Sequence, residues 1–305
     1  MGLEGYTKMI SVIVCSIDDF WFEKFSKSLK ETIGIEYQLI KIDNKKEKLS
    51  ITKAYNKGAS EAIYDILIFV HEDVVFHSQN WGVFLHGYFD NLKNPGVLGV
   101  VGSSYLPISP SDWWISDQSF IFSNYISNSK EFAGIVGSPQ IKGAQVPSKV
   151  YVLDGMFLAI KKEAFEGFRF DDGLEGFHGY DTDICLQVSR KFQNYFIPNI
   201  QIEHFSKGKA NLVWLLNTEK AKRKILSKIN RIKKEEGFSN KIELKAFHLF
   251  LGQLYKYGDN RFNCIKLGFY YFKQVAIRSF HWRLIPVFFW YLMIFSFKRT
   301  PYFSS

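Results

Sequence analysis

The sequence predicts an α/β fold, in which a mainly parallel sheet is flanked by helices and followed by a helical C-terminal region. Short β-branched runs alternate with stretches of helical periodicity over the first two-thirds of the chain, an order typical of parallel strands joined by right-handed crossovers. Several of these runs end in polar or acidic residues, and folds of this class bind ligands at the carboxyl ends of their strands. From Ala210 onward the pattern becomes helical and basic. We therefore predict two domains, residues 1–209 and 210–305.

The first elements are the clearest. The run "ISVIVCS" (residues 10–16) predicts a strand, and the helical pattern that follows has Asp18 or Asp19 as a suitable N-cap. A second strand, "YQLIKID", ends in an acid. Ser50 is then a suitable N-cap for a helix through "ITKAYNKGASEAI". This strand–helix order repeats often enough to favour a sheet covered by helices.

The third strand contains an anomaly. Its apolar run "DILIFV" continues into three ionisable residues, His71, Glu72 and Asp73, before apolar residues resume. Burying such side chains is costly unless something pairs with them. We infer that this interruption serves a ligand.

The later elements surround a region of weak periodicity. "GVLGVVGSS" predicts a strand, whereas residues 105–150, with their Pro, Ser and Trp, predict long loops of the kind that usually carry function. Two strands separated by a break at Asp154-Gly155 come next. "GYDTDICLQVSRKF" predicts a helix whose acidic first turn complements the helix dipole, and a last strand ends in Glu203-His204.

The net charge is +9, from 39 Lys and Arg against 30 Asp and Glu. This balance favours an anionic partner such as a nucleotide or phospholipid, although a simple abundance of Lys explains it equally well. No nucleic-acid-binding pattern accompanies the charge, so nucleic acid is not an expected partner. Three scattered cysteines in apolar surroundings and the lack of a signal-peptide pattern predict buried thiols in a cytoplasmic protein.

The C-terminal region holds a 14-residue apolar run, "LIPVFFWYLMIFSF", between Arg283 and Lys298. A spanning helix needs roughly 20 residues, so this run is too short to cross a membrane. A buried core helix explains it, and so does an interfacial segment beside the basic stretch Lys220–Lys234, which carries eight Lys or Arg. That basic stretch has an apolar stripe at helical spacing, made of Ile225, Ile229 and Ile232. Peripheral contact with the inner face of the cell membrane is therefore one expectation.

Taken together, the motifs "SVIVCS", "AYNKG", "FVHEDV", "DGMFLAIKKEAFEGFRFDDG", "GYDTDICLQV" and "EHFS" stand in the order found in GT-A glycosyltransferases. The chain resembles the family 2-like branch of these enzymes over roughly residues 10–206. The resemblance implies the Rossmann-like GT-A fold. It also implies transfer of a sugar from a UDP- or GDP-sugar to a glycan or lipid-linked acceptor hydroxyl, with inversion, in bacterial surface polysaccharide synthesis.

The resemblance implies a divalent cation, Mn²⁺ or Mg²⁺, held by Asp73 and His204. Asp73 matches the second Asp of the family's Asp-x-Asp motif, and His204 matches a strand-end His that contacts the metal in many members. His71 replaces the first Asp of that motif. It can hydrogen-bond a ribose hydroxyl or join the ligand set, because Mn²⁺ accepts imidazole.

The acceptor hydroxyl must lose its proton as it attacks, and a carboxylate is the usual base. Asp181 aligns with the Asp of the family's Glu-Asp pair, with Tyr180 in place of the Glu, and is the predicted general base. Asp183 is the alternative, although an ordinary acid in the first turn of a helix explains it equally well.

The remaining candidates for binding the nucleotide-sugar donor also follow from the resemblance. Asp43 is placed like the acid that reads a uracil or guanine edge, and Asn56 matches the Asn of a family helix motif. Asp154-Gly155 lies where contacts to the donor sugar arise, although a plain turn explains it too. Ser16 and Glu72, within the motifs of the first and third strands, complete this set.

Two other functions compete with a transferase. A non-catalytic module that binds nucleotide-sugars or glycans on a degenerate GT-A scaffold is permitted by the departures at His71 and Tyr180. A nucleotidyltransferase would need a Gly-rich, Arg- or Lys-bearing loop after the first strand, and "CSIDDFW" contains none.

Overall fold

The computed structural model describes residues 9–111, 118–127, 134–137, 146–205, 210–232, 239–258 and 260–297. These residues divide into two units. The first runs up to Tyr105 and resumes at Gln118, and the second comprises residues 106–111 and the chain from Ala210 onward.

All strands of the described residues lie in the first unit. They are β1 (Met9–Ser16), β2 (Glu36–Asp43), β3 (Ile66–His71), β4 (Val74–Phe76), β5 (Pro95–Gly99), β6 (Val101–Ser103), β7 (Ile121–Ser127), β8 (Gly134–Gly137), β9 (Ser148–Val150), β10 (Val152–Leu153), β11 (Phe157–Lys161), β12 (Gln193–Phe196) and β13 (Ile202–His204).

The helices divide between the units. Those of the first unit are α1 (Asp19–Thr32), α2 (Asn44–Glu47), α3 (Ile51–Glu61), α4 (Trp81–Asn91), α5 (Lys162–Glu166) and α6 (Tyr180–Val188). Those of the second are α7 (Leu212–Ile232), α8 (Asn240–Tyr257), α9 (Arg261–Arg278) and α10 (Leu284–Ser296). Two predicted N-caps are confirmed, because side chains of Asp18 and Ser50 accept hydrogen bonds from the first turns of α1 and α3.

The main sheet has seven strands in the order β2-β1-β3-β11-β5-β12-β9. β2, β1 and β3 are parallel, and β11 lies antiparallel between β3 and β5. The α/β fold with a helical C-terminal region is therefore confirmed, and the sheet is mixed, with parallel pairing strongest at its β2 side. A second sheet has the order β10-β6-β7-β13-β4, with β8 added alongside β7.

Within the described residues, four short breaks pass the chain between the two sheets. His71-Glu72-Asp73 carries it from β3 to β4, Val100 from β5 to β6, Tyr151 from β9 to β10, and the Asp154-Gly155 turn from β10 to β11. The ionisable interruption in "FVHEDVVF" is thus a change of sheet, where side chains are only partly covered. Likewise, the run "GVLGVVGSS", predicted to be one strand, forms two.

The prediction of long loops over residues 105–150 is wrong at three places. Ile121–Ser127, Gly134–Gly137 and Ser148–Val150 are strands β7, β8 and β9. β7 pairs with β6, β8 and β13. The sequences of β7 and β8 lack a clear alternation of apolar residues, so their local pattern does not indicate strands. Residues 112–117, 128–133 and 138–145 of this stretch lie outside the described residues.

The second unit incorporates a short segment from the middle of the chain, residues 106–111. The buried Glu243 carboxylate accepts a hydrogen bond from Ile108 N–H at 2.9 Å, and the buried Lys222 ammonium donates one to the Pro107 carbonyl oxygen. Helices α9 and α10 pack through Phe272 and Phe288, whose rings stack at 4.6 Å.

None of the helices in the described ranges combines the length and apolar character needed to cross a membrane. The cysteines Cys15, Cys185 and Cys264 are buried and form no disulfide. In the basic stretch, Lys222 is buried and the guanidinium of Arg223 pairs with Glu219. The side chains of the predicted stripe, Ile225, Ile229 and Ile232, are not among those described. Lys298 is also outside the described residues.

Candidate functional site

The carboxyl ends of three parallel strands bring predicted residues to one edge of the main sheet. Ser16 at the end of β1 lies opposite Asp43 at the end of β2, and Cys15 lies opposite His71. Ser16 is buried, and its hydroxyl has no hydrogen-bond partner among the described residues. Asp43 is more exposed and pairs with Lys46 at 2.8 Å, a contact that lowers the pKa of its carboxyl.

Next to this edge, His71, Asp73 and His204 form a compact cluster. His71 ends β3, Asp73 lies in the turn after it, and His204 ends β13, which pairs with β4 so that His204 faces Val74. His204 Nε2 lies 3.3 Å from Asp73 Oδ1 and 3.4 Å from His71 Nδ1, and His71 Nδ1 lies 3.9 Å from that same oxygen. One ligand atom from each residue thus lies within 4.8 Å of the others.

The pKa shifts of Asp73 and His71 suit a cation, whereas His204 would have to release a proton before it could coordinate one. Burial by itself raises the pKa of Asp73, but the hydrogen bond and positive charge of His204 outweigh it and hold that pKa below the usual range. Burial lowers the pKa of His71, which keeps its imidazole neutral. Burial also disfavours the charged form of His204, yet Asp73 raises its pKa overall. Metal–ligand distances of about 2.1 Å place ligand atoms roughly 3–3.5 Å apart, close to the separations found here.

Tyr180 holds the other side of the His71 ring. Its hydroxyl lies 2.6 Å from His71 Nε2, which leaves Nδ1 directed toward Asp73 and His204. The same hydroxyl occupies the space over Gly155, where an added Cβ would lie only 2.0 Å from it. Gly155 therefore makes room for Tyr180, and the two departures from the family pattern, His71 and Tyr180, contact each other.

A buried aromatic cluster supports Tyr180 from behind. Its ring contacts Tyr55 and Phe170 at centroid distances of 5.8 and 5.9 Å. Phe69, the strand neighbour of His71, packs against Tyr55 and Phe170 as well. The Tyr55 hydroxyl is buried and makes no hydrogen bond to any described residue. This packing restricts the position of the Tyr180 ring and hence of its hydroxyl.

Asp181 lies in the first turn of α6 beside Asp154-Gly155. Its carboxylate accepts hydrogen bonds from the backbone N–H of Thr182 at 2.7 Å and of Gly155 at 3.3 Å. Burial, and then the negative charge of Asp154, raises the pKa of Asp181 to about 7. A carboxylate with a near-neutral pKa is well matched to accepting a proton. Asp183, the alternative base, is buried and accepts a hydrogen bond from Gln187 of its own helix at 2.7 Å.

Two predicted donor-binding residues, Glu72 and Asn56, make contacts within the chain. The Glu72 carboxylate accepts hydrogen bonds from the backbone N–H of Ile17 and Asp18, at 3.0–3.1 Å, and so anchors the loop after β1. The Asn56 side-chain amide donates hydrogen bonds to the Phe170 carbonyl oxygen and the Asp172 carboxylate, and its oxygen accepts one from the Phe170 N–H. Contact of either residue with a donor remains a prediction, as it does for Ser16, Asp43, Asp154 and Gly155.

The sequence does not indicate a role for Tyr180, which replaces the family's Glu. In the structure its hydroxyl contacts and orients His71. The only available signal was that both positions depart from the family motifs. Because His71 and Tyr180 are 109 positions apart, neither residue alone indicates their contact.

The chain is similar to known glycosyltransferases in sequence and in fold. A family model described as "Glycosyltransferase like family" matches residues 11–229. Among solved structures, "Crystal structure of GalNAc-T7 with UDP, GalNAc and Mn2+" has a TM-score of 0.50 and 15% identity, covering 79% of this chain and 54% of that one. A second, "Mannosyltransferase PcManGT from Pyrobaculum calidifontis in complex with GDP-Man and Mn2+", has a TM-score of 0.44 and 11% identity, over 95% and 86% of the two chains. No curated protein matches the sequence. The first structural likeness confirms the predicted GT-A fold, and this chain spans about half the length of that protein.

Proposed function

Because the chain belongs to the glycosyltransferase-like family, we propose that it transfers a sugar from a nucleotide-diphospho-sugar to an acceptor hydroxyl. The observation that carries the proposal is the pairing of two features at one edge of the sheet. One is the His71–Asp73–His204 cluster, and the other is the partly buried carboxylate of Asp181 with its pKa of about 7. Sugar transfer is helped by a positive charge that stabilises the leaving diphosphate and by a base that takes the proton of the acceptor hydroxyl.

Asp73, His204 and His71 would hold the divalent cation, Mn²⁺ or Mg²⁺. Their mixed oxygen and nitrogen set favours Mn²⁺, because Mg²⁺ prefers oxygen ligands. These residues would hold the cation where it could neutralise charge on the departing diphosphate. The similar GalNAc-T7 structure was solved with UDP, GalNAc and Mn²⁺, which supports the same choice of ligands for this chain.

Asp181 would act as the general base. Its carboxylate takes the proton of the acceptor hydroxyl while the acceptor oxygen bonds the anomeric carbon. The bond from that carbon to the diphosphate oxygen breaks, and the electron pair leaves with the diphosphate. Protonation of Asp181 also relieves its repulsion with Asp154, which favours the transfer. A single displacement of this kind inverts the anomeric configuration.

The donor nucleotide, a UDP- or GDP-sugar, would bind across the ends of β1 and β2. Asp43 would hydrogen-bond the edge of the nucleotide base. The buried Ser16 hydroxyl, which has no hydrogen-bond partner among the described residues, would gain one from the nucleotide. Asp154 and Gly155 would contact the donor sugar. Glu72 and Asn56 would contribute by holding the loops that frame the donor, given the backbone contacts they make.

We further propose that the acceptor is a glycan or a lipid-linked sugar, as in the synthesis of bacterial surface polysaccharide by a hexosyltransferase. Such a reaction uses cytoplasmic sugar nucleotides. It would place the protein in the cytoplasm, at the inner face of the membrane.

Calorimetry with UDP and GDP tests the site directly, in Mn²⁺ and in chelator. Binding is expected to require Mn²⁺ and to be lost or strongly weakened in Asp73→Asn. Asp90→Asn, which removes an exposed carboxylate on α4, is the matched control and should bind like wild type. Equal affinity with Mn²⁺ and with chelator would refute the metal role.

A non-catalytic binding module is the second candidate, favoured by the contact between the substituted positions His71 and Tyr180. It would bind nucleotides with Mn²⁺ yet turn over no donor. Incubation with a panel of nucleotide-sugars, with Mn²⁺ and with chelator, separates the two functions. Metal-dependent release of nucleotide from any donor favours the transferase.

A further inference from the structure

Helix α10 exposes an apolar face. Its inward side chains are packed in the second unit, and they are Leu284, Phe288, Tyr291 and Phe295. Its outward side chains are apolar as well, and they are Ile285, Phe289, Trp290, Met293 and Phe297. Phe289 is 63% exposed and Trp290 is 58% exposed. The helix contains no charged residue, so nothing in it offsets this exposure.

Helix α9, which packs against α10, exposes a different pattern. Successive outward residues at helical spacing alternate between apolar side chains and lysines, in the order Phe262, Lys266, Phe269, Lys273, Ile277. The helices are joined by a segment with exposed Phe280 and Trp282, and the Arg283 guanidinium lies 5.2 Å from the centre of the Trp282 ring. Large apolar groups and cations thus share these faces.

The charge of the chain is concentrated in the same part of the sequence. Residues 209–305 carry 19 Lys and Arg against 5 Asp and Glu, a net charge of +14. Residues 1–208 carry 20 against 25, a net charge of −5. The apolar faces therefore belong to a strongly cationic region, which attracts an anionic surface.

We propose that these faces of α9 and α10 dock on an anionic lipid bilayer. Exposed Trp and Phe flanked by Lys and Arg are typical of helices that lie in the membrane interface. Lysine stems can lie along the apolar boundary while their ammonium groups reach the headgroups. α10 has 13 residues and is about 20 Å long, shorter than the ~30 Å hydrocarbon core, so it lies in the interface without crossing.

A second copy of the chain fits these faces less well. Protein interfaces are depleted in Lys relative to the rest of the surface, whereas Lys266 and Lys273 stand between the aromatic residues of α9. The proposal also moves the docking surface away from the basic stretch expected from the sequence, since Lys222 there is buried and Arg223 is paired with Glu219. It does not depend on the proposed reaction.

Sedimentation of the full chain with phosphatidylcholine vesicles, with and without phosphatidylglycerol, tests the proposal. Binding is expected only to the anionic vesicles and is expected to weaken with salt. Phe289→Gln with Trp290→Gln should weaken it by roughly a hundredfold, because each inserted aromatic side chain contributes about tenfold. Lys266→Gln with Lys273→Gln should weaken it less, and more at low salt than at high salt.

Ile63→Gln is the matched control, because Ile63 is a comparably exposed apolar residue of the first unit. It should bind vesicles like wild type. Absence of vesicle binding, or equal binding by the α10 variant and wild type, would overturn the proposal. So would a concentration-dependent dimer in sedimentation velocity that the α10 variant abolishes, which would assign the faces to a second copy. Nucleotide calorimetry on the same variants shows separately whether the first unit is intact.

Discussion

The two units depart from ordinary residue placement in opposite directions. The first gathers ionisable and polar groups in a partly covered position, where Asp73, His204 and Asp181 each have a shifted pKa. The second leaves large apolar side chains such as Phe289 and Trp290 in solvent. Neither placement stabilises the isolated chain, because buried charge and exposed apolar surface both oppose folding.

The contrast fits the two different ligands that we propose for the units. A small cluster of convergent charges suits a compact, highly charged ligand that replaces lost solvation at a few atoms. A broad apolar face with scattered lysines suits an extended partner that offers both hydrocarbon and negative charge. The following predictions test whether the two regions differ in this way.

The largest effect is expected from Asp181→Asn. Turnover of the preferred donor should fall by about 10²–10⁴-fold, the usual contribution of a positioned base, while nucleotide affinity in calorimetry stays near the wild-type value. In wild type, kcat/KM should rise with pH through about 7, because only the ionised carboxylate accepts a proton. Asp183→Asn is the comparison, and a loss confined to that variant would identify Asp183 as the base.

A smaller loss is expected from Tyr180→Phe. Without its hydroxyl the His71 ring loses the contact that orients Nδ1, and such supporting contacts are typically worth 10–100-fold in metal affinity. Titration with Mn²⁺, followed by calorimetry, measures this. Tyr55→Phe is the matched control, since it removes a neighbouring buried hydroxyl that makes no hydrogen bond to any described residue. Equal losses in both variants would mean that Tyr180 acts only through packing.

Stability should depend on pH through the same carboxyl group. An unfolded Asp titrates near pH 3.9, whereas Asp181 in the folded chain titrates at about 7. Between these values the folded state binds the proton that the unfolded state has lost, so stability contributed by this group falls as pH rises, by up to about 1.4 kcal/mol per pH unit. Urea unfolding at pH 5 and pH 8 should show Asp181→Asn gaining on wild type at the higher pH. Parallel changes in the two proteins would contradict the assignment.

The smallest effect belongs to the other region. Phe289→Gln should change the free energy of unfolding by no more than about 0.5 kcal/mol, the range for exposed positions outside packed contacts. Phe288→Gln, one residue away and buried against α8 and α9, should cost several times more. Urea melts of the two variants measure the difference. A large loss in Phe289→Gln would show that its ring is part of the core.

Much of the first unit was predictable because its signals are local. The strand "ISVIVCS" and the caps Asp18 and Ser50 depend on neighbouring residues, and each was found where expected. β7 was not predictable, because "IFSNYIS" lacks a clear apolar alternation and is extended through its pairing with β6, β8 and β13. The membership of residues 106–111 in the second unit likewise depends on Lys222 and Glu243, more than 100 residues away.

For the candidate site, the sequence indicated individual residues but not the contacts between them. Motif order indicated Asp73, His204 and Asp181 through resemblance to a family, and their residue types matched the chemistry. The contact of His71 with Tyr180 spans 109 positions of the sequence, and local pattern carries no information about it. The same holds for Glu72, whose carboxylate turns toward Ile17 and Asp18.

The cluster of His71, Asp73 and His204 has a consequence for how the protein is made. His71 and His204 are 133 residues apart, and they meet only when β13 pairs with β4. Domains generally fold as units as their chains emerge during synthesis. A nascent chain on the ribosome therefore cannot present this cluster until His204 has left the exit tunnel, by which time every strand of both sheets has been made. Until that point the proposed cation site is incomplete.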